Sequence, residues 1–176
     1  ITISGAKITT VDVTTSGNKS AFDGLHLAGA KTVNLAAGAA FEVAQTGLNT
    51  STTKATLNIT GAGAIKLGSI DTGFTTVDAS GASGGITAAL AGGTETIFTG
   101  STGNDVITSA TTNALATTNK LAVNAGAGTD TLVIADASDV NTAADAARYT
   151  GFEKVKVSAT RTDKVPNTSA SAASST

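Results

Sequence analysis

Short apolar runs alternate with glycine-containing turns along the first 135 residues, and they recur at a near-constant interval. One phrase marks that interval: Thr10-Val11-Asp12, Thr32-Val33-Asn34, Thr56-Leu57-Asn58, Thr76-Val77-Asp78 and a looser Thr96-Ile97-Phe98. Its central apolar residue stands at 11, 33, 57, 77 and 97, which gives intervals of 22, 24, 20 and 20 residues. The first four phrases run on into Gly17, Gly38, Gly61 and Gly81. Between most of them lies a second apolar run: Leu25-His26-Leu27, Phe41-Glu42-Val43, Ile65-Lys66-Leu67 and Gly85-Ile86-Thr87. Two short strands per coil, each ended by a glycine turn, predict an all-β chain wound as a right-handed parallel β-helix, or β-solenoid. In such a coil the apolar residue of each phrase faces inward, and the flanking Thr and Asx side chains form outer ladders one strand spacing apart. β-Branched Thr and Val favour the extended backbone this requires. An antiparallel sandwich shares the alternation but has no need of a repeated phrase at a fixed interval.

The pattern divides the chain into solenoid coils over 1–98, a glycine-rich pair of coils over 99–135 and a different ending. Residues 139–149 predict a short helix near the C-terminus, with Asp139 or Asn141 as its N-cap. A strand, Glu153-Lys154-Val155-Lys156-Val157, follows Gly151-Phe152, and together these make up 136–160. From Arg161 the Ser, Thr and Ala content predicts a linker or tail over 161–176. The chain opens directly on Ile1-Thr2-Ile3, already alternating as a strand, and is read as a piece cut from a longer protein.

Composition sharpens the picture of the interior. Aromatic residues make up 3% of the chain, with no Trp and one Tyr, so Val, Ile, Leu and Ala must fill a narrow core. Glycine occurs 20 times and proline once, so the turns depend on glycine. The absence of cysteine suits a long solenoid, which a backbone ladder holds without disulfides, and is compatible with an exterior location. A net charge of −2 argues against nucleic-acid binding, which needs clustered Lys and Arg. No apolar run reaches the roughly 18 residues of a membrane span.

One chemical motif emerges. Gly100-Ser101-Thr102-Gly103-Asn104-Asp105-Val106-Ile107-Thr108 follows the nine-residue pattern G-G-x-G-x-D-x-U-x, with Ser in the second glycine position. Ala125-Gly126-Ala127-Gly128-Thr129-Asp130-Thr131-Leu132-Val133 follows it again, with Ala in the first. This pattern is the calcium-binding β-helix repeat. Calcium takes six to eight oxygens, and a glycine turn can aim successive carbonyls at one point while the aspartate adds a carboxylate. One turn supplies half a shell, so a second must stack on it. Asp105 and Asp130 are 25 residues apart, one coil plus an Ala- and Thr-rich insertion at 109–119, which puts them on one edge of the solenoid. The candidate ligands are therefore Asp105 and Asp130 with the Gly100, Thr102, Gly103, Ala125, Ala127 and Gly128 positions of the two turns. The plainer alternative is a pair of metal-free turns whose aspartates accept local backbone hydrogen bonds.

The run from Phe98 to Ile107, the stretch Asn124–Val133 with its Gly128-Thr129-Asp130-Thr131-Leu132 turn, and Gly151-Phe152-Glu153-Lys154-Val155-Lys156-Val157 resemble RTX-type bacterial surface-layer proteins. The specific motifs cover residues 98–157. The resemblance implies secretion by a type I exporter, calcium-dependent folding outside the cell and assembly with copies of itself into a lattice on the bacterial surface. Lipopolysaccharide, contacted through other domains, is a further candidate partner. Only two nonapeptides are present, which departs from the family and favours one calcium ion over a filled row. A structural, non-catalytic role follows from that likeness. Rival roles are an adhesin or biofilm-matrix segment, and the calcium-binding roll of a secreted enzyme whose catalytic domain lies elsewhere. The chain has neither H-E-x-x-H nor G-x-S-x-G. A polysaccharide lyase is disfavoured because Arg148 and Arg161 are the only arginines.

Other candidates have plainer explanations. His26 alternates with Leu25 and Leu27 and should face outward. Asp12 and Asp78 share one phrase position but are separated by two coils carrying Asn there, which favours a polar ladder. Asp23, Asp71, Asp136 and Asp139 fall in turns, where Asx residues are expected. Lys154 and Lys156 form an exposed strand face.

Overall fold

The computed structural model describes residues 1–5, 7–50, 54–90, 96–109, 121–140 and 142–158. The Ala- and Thr-rich insertion from residue 110 onward, Asn141 and the tail from Arg161 lie outside them.

Each phrase is a strand, and each strand lies against its equivalent one coil on. In chain order the strands are β1 (Thr2–Ser4), β2 (Thr10–Thr15), β3 (Ser20–Ala28), β4 (Thr32–Ala37), β5 (Phe41–Asn49), β6 (Ala55–Gly61) and β7 (Ile65–Ile70). They continue as β8 (Phe74–Ala82), β9 (Ile86–Leu90), β10 (Ile97–Thr99), β11 (Val106–Thr108), β12 (Ala122–Asn124), β13 (Thr131–Ile134), β14 (Tyr149–Thr150) and β15 (Lys154–Val157). Odd strands form one eight-stranded sheet and even strands a seven-stranded one, every pairing parallel. The chain is a β-solenoid, with the core enclosed between the two sheets.

The register explains why an aromatic-poor chain can close such a core. In the even sheet Val11, Val33, Leu57, Val77, Phe98 and Val123 stack in one inward column, which Tyr149 continues. All but Tyr149 are buried, so each inward aliphatic side chain packs on its counterparts above and below. Outside, Asp12, Asn34, Asn58 and Asp78 form the expected column. Asn34 Nδ2 donates to Asp12 Oδ1 at 2.7 Å, and Asn58 Nδ2 donates to Asn34 Oδ1 at 2.8 Å. Asp78 turns instead to the amide and hydroxyl of Ser80, whose hydrogen bonds hold its carboxyl below the usual range. On the outer face of the odd sheet Glu42 pairs with both Lys19 and Lys66.

Three expectations need correction. The inward residue of the fifth phrase is Phe98, not Ile97: Phe98 pairs with Val77 and is 1% exposed, whereas Ile97 pairs with Thr76 and is 49% exposed. Burying the larger ring outweighs the repeated spelling of the phrase. Several strands run to nine residues and accommodate β-bulges. In β3 the stretch Ser20–Phe22 lies against Phe41–Val43, while Leu25-His26 lies against Leu48-Asn49. The helix expected over 139–149 is broken into a 3-10 turn, Ala137–Val140, and one α-helical turn, α1 (Ala143–Ala146). Thr142 caps α1, its hydroxyl accepting the Asp145 amide, and Asp139 does not. Tyr149-Thr150 leaves the helical pattern because it pairs with Val123-Asn124, so the ladder overrides local propensity.

Candidate metal centre

The two nonapeptides occupy the same corner of successive coils. Gly100–Asp105 joins β10 to β11, and Ala125–Asp130 joins β12 to β13. They stack directly: Gly100 N donates to the Asn124 carbonyl at 2.7 Å, Ala127 N to the Ser101 carbonyl at 3.1 Å, and Thr129 N to Asn104 Oδ1 at 2.9 Å. The turns are so close that a Cβ on Gly100 would overlap the Ala125 carbonyl oxygen, and one on Gly128 that of Gly103. Gly126 has φ of +94°, and a Cβ there would overlap the Ser101 carbonyl oxygen. Gly100 and Ala125 are buried, Gly103 is half-buried, and Thr102, Ala127 and Gly128 are exposed. Thr102 faces the coil below, its amide donating to the Ala82 carbonyl at 3.0 Å. All eight residues singled out in the sequence thus lie in one stacked pair of turns.

Both aspartates point inward and are fully buried. Their surroundings follow from the length of the turn. In the coils with short turns, the amide that opens each odd strand donates to a backbone carbonyl of the next coil: Ser20 N to Ala40 at 2.9 Å, Phe41 N to Ala64 at 2.9 Å, and Ile65 N to Gly85 at 3.0 Å. The longer nonapeptide turn displaces that carbonyl, and a carboxylate takes over. Ile86 N donates to Asp105 Oδ1, Asp105 N to Asp130 Oδ1, and Asp130 N to Glu153 Oε2, each at 2.7 Å. A column that runs Phe41, Ile65, Ile86 in the apolar coils therefore continues as Asp105, Asp130, Glu153. These charge-assisted bonds prevent the loss of buried amides to unsatisfied positions.

The two aspartates differ in what else they touch. Both oxygens of Asp105 are held: Oδ1 also accepts the Ser101 hydroxyl at 2.7 Å, and Oδ2 accepts the Ser101 amide at 2.8 Å. Asp130 has Gly126 where Asp105 has Ser101, and its Oδ2 is buried without a hydrogen-bond partner. Burial pushes the Asp130 carboxyl above the ordinary aspartate range; the Asp105 amide opposes this, and the nearby charges of Asp105 and Glu153 add to it. Leaving a carboxylate oxygen bare in the interior is costly, and a cation is one way to offset that cost. Asp130 therefore offers a cation a bare carboxylate oxygen, which Asp105 does not. Among the described residues, no group of three or more His, Asp or Glu side chains could hold a metal, so backbone oxygens would have to complete any shell.

Residues that spacing alone did not single out do much of the work. Ser101 was legible only as a departure from the glycine pattern, and Glu153 only as the start of a strand. Their signal lies in the column alignment, which places Glu153 one coil beyond Asp130. Asp139, read as a turn residue, is buried at the far end of β11, where the Ser109 hydroxyl donates to its Oδ2. Burial raises its carboxyl as well. It is thus separate from the nonapeptide corner. His26 is exposed, as expected, and so are Lys154 and Lys156. No helix among the described residues is long and apolar enough to cross a membrane. Comparison with family models, curated proteins and solved structures gave no match.

Proposed function

We propose that this chain is a structural segment of a secreted bacterial surface protein, built like the RTX-type surface-layer proteins it resembles, and that one calcium ion at Asp130 stabilises its C-terminal coils. The observation that carries the calcium reading is the buried, unpartnered Oδ2 of Asp130 inside a glycine turn stacked on a second one. The parallel pairing of every strand supports the mechanical role, because a ladder running from coil to coil makes a stiff rod.

Asp130 Oδ2 and the Ala125–Gly128 turn would hold the ion, which when bound supplies the positive charge that the buried carboxylate lacks. Asp130 Oδ1 meanwhile keeps the Asp105 amide, and Glu153 keeps the Asp130 amide, so the rung geometry stays fixed by the chain itself. Where calcium is scarce, the bare Asp130 carboxylate beside the charges of Asp105 and Glu153 lowers the stability of this end while its rungs stay hydrogen-bonded. Outside the cell, millimolar calcium exceeds a Kd of roughly 10⁻⁴ to 10⁻³ M typical of extracellular modules. The folded state then gains stability by mass action. On this reading the partners are copies of the same chain in a surface lattice.

Sedimentation and negative-stain microscopy in millimolar calcium and in EGTA test the lattice role. Ordered sheets or arrays in calcium that disperse in chelator support it; monomers under both conditions contradict it.

A further inference from the structure

The first nonapeptide carries an aspartate in the calcium-ligand position, yet both oxygens of its carboxylate are already held by donors of the protein. We propose that Ser101 stands in for a cation there. Its hydroxyl and amide complete the coordination of Asp105, so the lower turn folds without metal and any cation dependence is confined to Asp130. The second part rests on the calcium reading above; the first does not.

The argument is a comparison of two equivalent positions one coil apart. Ser101 is 1% exposed and bonds both oxygens of Asp105. The same hydroxyl accepts the Gly103 amide at 3.0 Å, so it ties the turn to itself as well as to the carboxylate. With Ile86 N on Oδ1, the carboxylate accepts three hydrogen bonds, all from within the protein. The upper turn cannot copy this arrangement. Gly126 holds the equivalent position at φ of +94°, and a side chain there would run into the Ser101 carbonyl oxygen. That carbonyl also accepts the Ala127 amide, so the lower turn sets the backbone path of the upper one. The backbone of the lower turn and the positive φ enforce glycine above, and the glycine leaves Asp130 Oδ2 open. Serine at 101 and glycine at 126 thus leave one closed rung and one open rung. The closed rung is a metal-free template on which the open rung is stacked.

Thermal unfolding in EGTA and in millimolar calcium, paired with calcium titration calorimetry, tests this on wild type, Ser101→Ala, Asp105→Asn, Asp130→Asn and the double variant Ser101→Gly/Asp130→Asn. Ser101→Ala is expected to melt roughly 3–10 °C below wild type in EGTA, from losing a hydrogen bond to a buried charge. Asp130→Asn is expected to lose the wild-type calcium response. The double variant is expected to regain a calcium-induced rise in melting temperature that Asp130→Asn alone lacks, because the emptied Ser101 position leaves Asp105 open to the ion. Calcium heat that survives Asp130→Asn and disappears in Asp105→Asn would overturn the proposal. So would a Ser101→Ala variant that melts with wild type in EGTA, or a double variant blind to calcium while the wild type responds. If the wild type itself takes up no calcium, the Asp130 reading fails, and the Ser101→Ala drop in EGTA still supports the serine clamp on its own.

Discussion

The amide of Asp105 donates to Oδ1 of Asp130 across 2.7 Å, although the two residues stand 25 apart in sequence. Each thus plays two parts: Asp105 receives the amide of Ile86 below and gives its own amide to the carboxylate above. Side-chain oxygens replace main-chain carbonyls at a corner where the turn is too long for the ordinary ladder. The consequences differ for the two residues.

Asp105→Asn should be the more damaging change. The new amide nitrogen cannot accept, so either the Ser101 amide or the Ile86 amide is left buried without a partner. A loss of about 2–4 kcal/mol is expected, read by urea unfolding in EGTA. Asp130→Asn should cost less under the same conditions, because its Oδ1 can still accept the Asp105 amide and the bare charge is removed. Equal losses for the two variants would contradict the asymmetry.

Acid should act on Asp130 in an unusual direction. Its folded carboxyl lies above the ordinary value of 3.8. Such a group contributes stability that is fully present below 3.8 and is lost as pH rises through the raised folded value. Asp139 acts in the same sense, whereas Glu42 and Asp78, both lowered, contribute stability that is lost on acidification. The test is therefore a difference between wild type and Asp130→Asn. In EGTA the wild type should gain on the variant as pH falls through that window. Calcium should abolish or reverse the gain, because ion and proton compete for one carboxylate. A difference that is flat with pH in EGTA would count against a buried, strained charge.

The fifth coil offers a test of register. Phe98→Ala should cost about 3–5 kcal/mol, as for other buried rings. Ile97→Thr, on the outer face in line with Thr76, should change stability by less than about 0.5 kcal/mol. The opposite ranking would restore the register that the phrase suggested.

These differences show what the sequence makes legible. Coil length and the inward column were readable because Val11, Val33, Leu57 and Val77 repeat with the same neighbours, and parallel strands reward repetition at a fixed place. The stacking of the two nonapeptides was readable from the 25-residue separation of Asp105 and Asp130. Phe98 was not, since Ile97 and Phe98 are both apolar and only packing decides between them. Nor was the end of the helix, because Tyr149 is drawn away by a distant partner, Val123. The rungs formed by Ser101 and Glu153 were hidden for a related reason. Their role depends on which amide loses its carbonyl in the next coil, a property of two turns together and of neither alone.

The most direct measurement is amide proton exchange by NMR, followed through a calcium titration. The account predicts that the amides of Ile86, Asp105 and Asp130 exchange slowly in EGTA, although no backbone carbonyl holds them. It further predicts that calcium shifts the signals of residues 125–131 and Glu153 while those of Ser101 and Ile86 stay in place. Rapid exchange at the three amides in EGTA, or calcium shifts centred on Ser101 and Asp105, would contradict it.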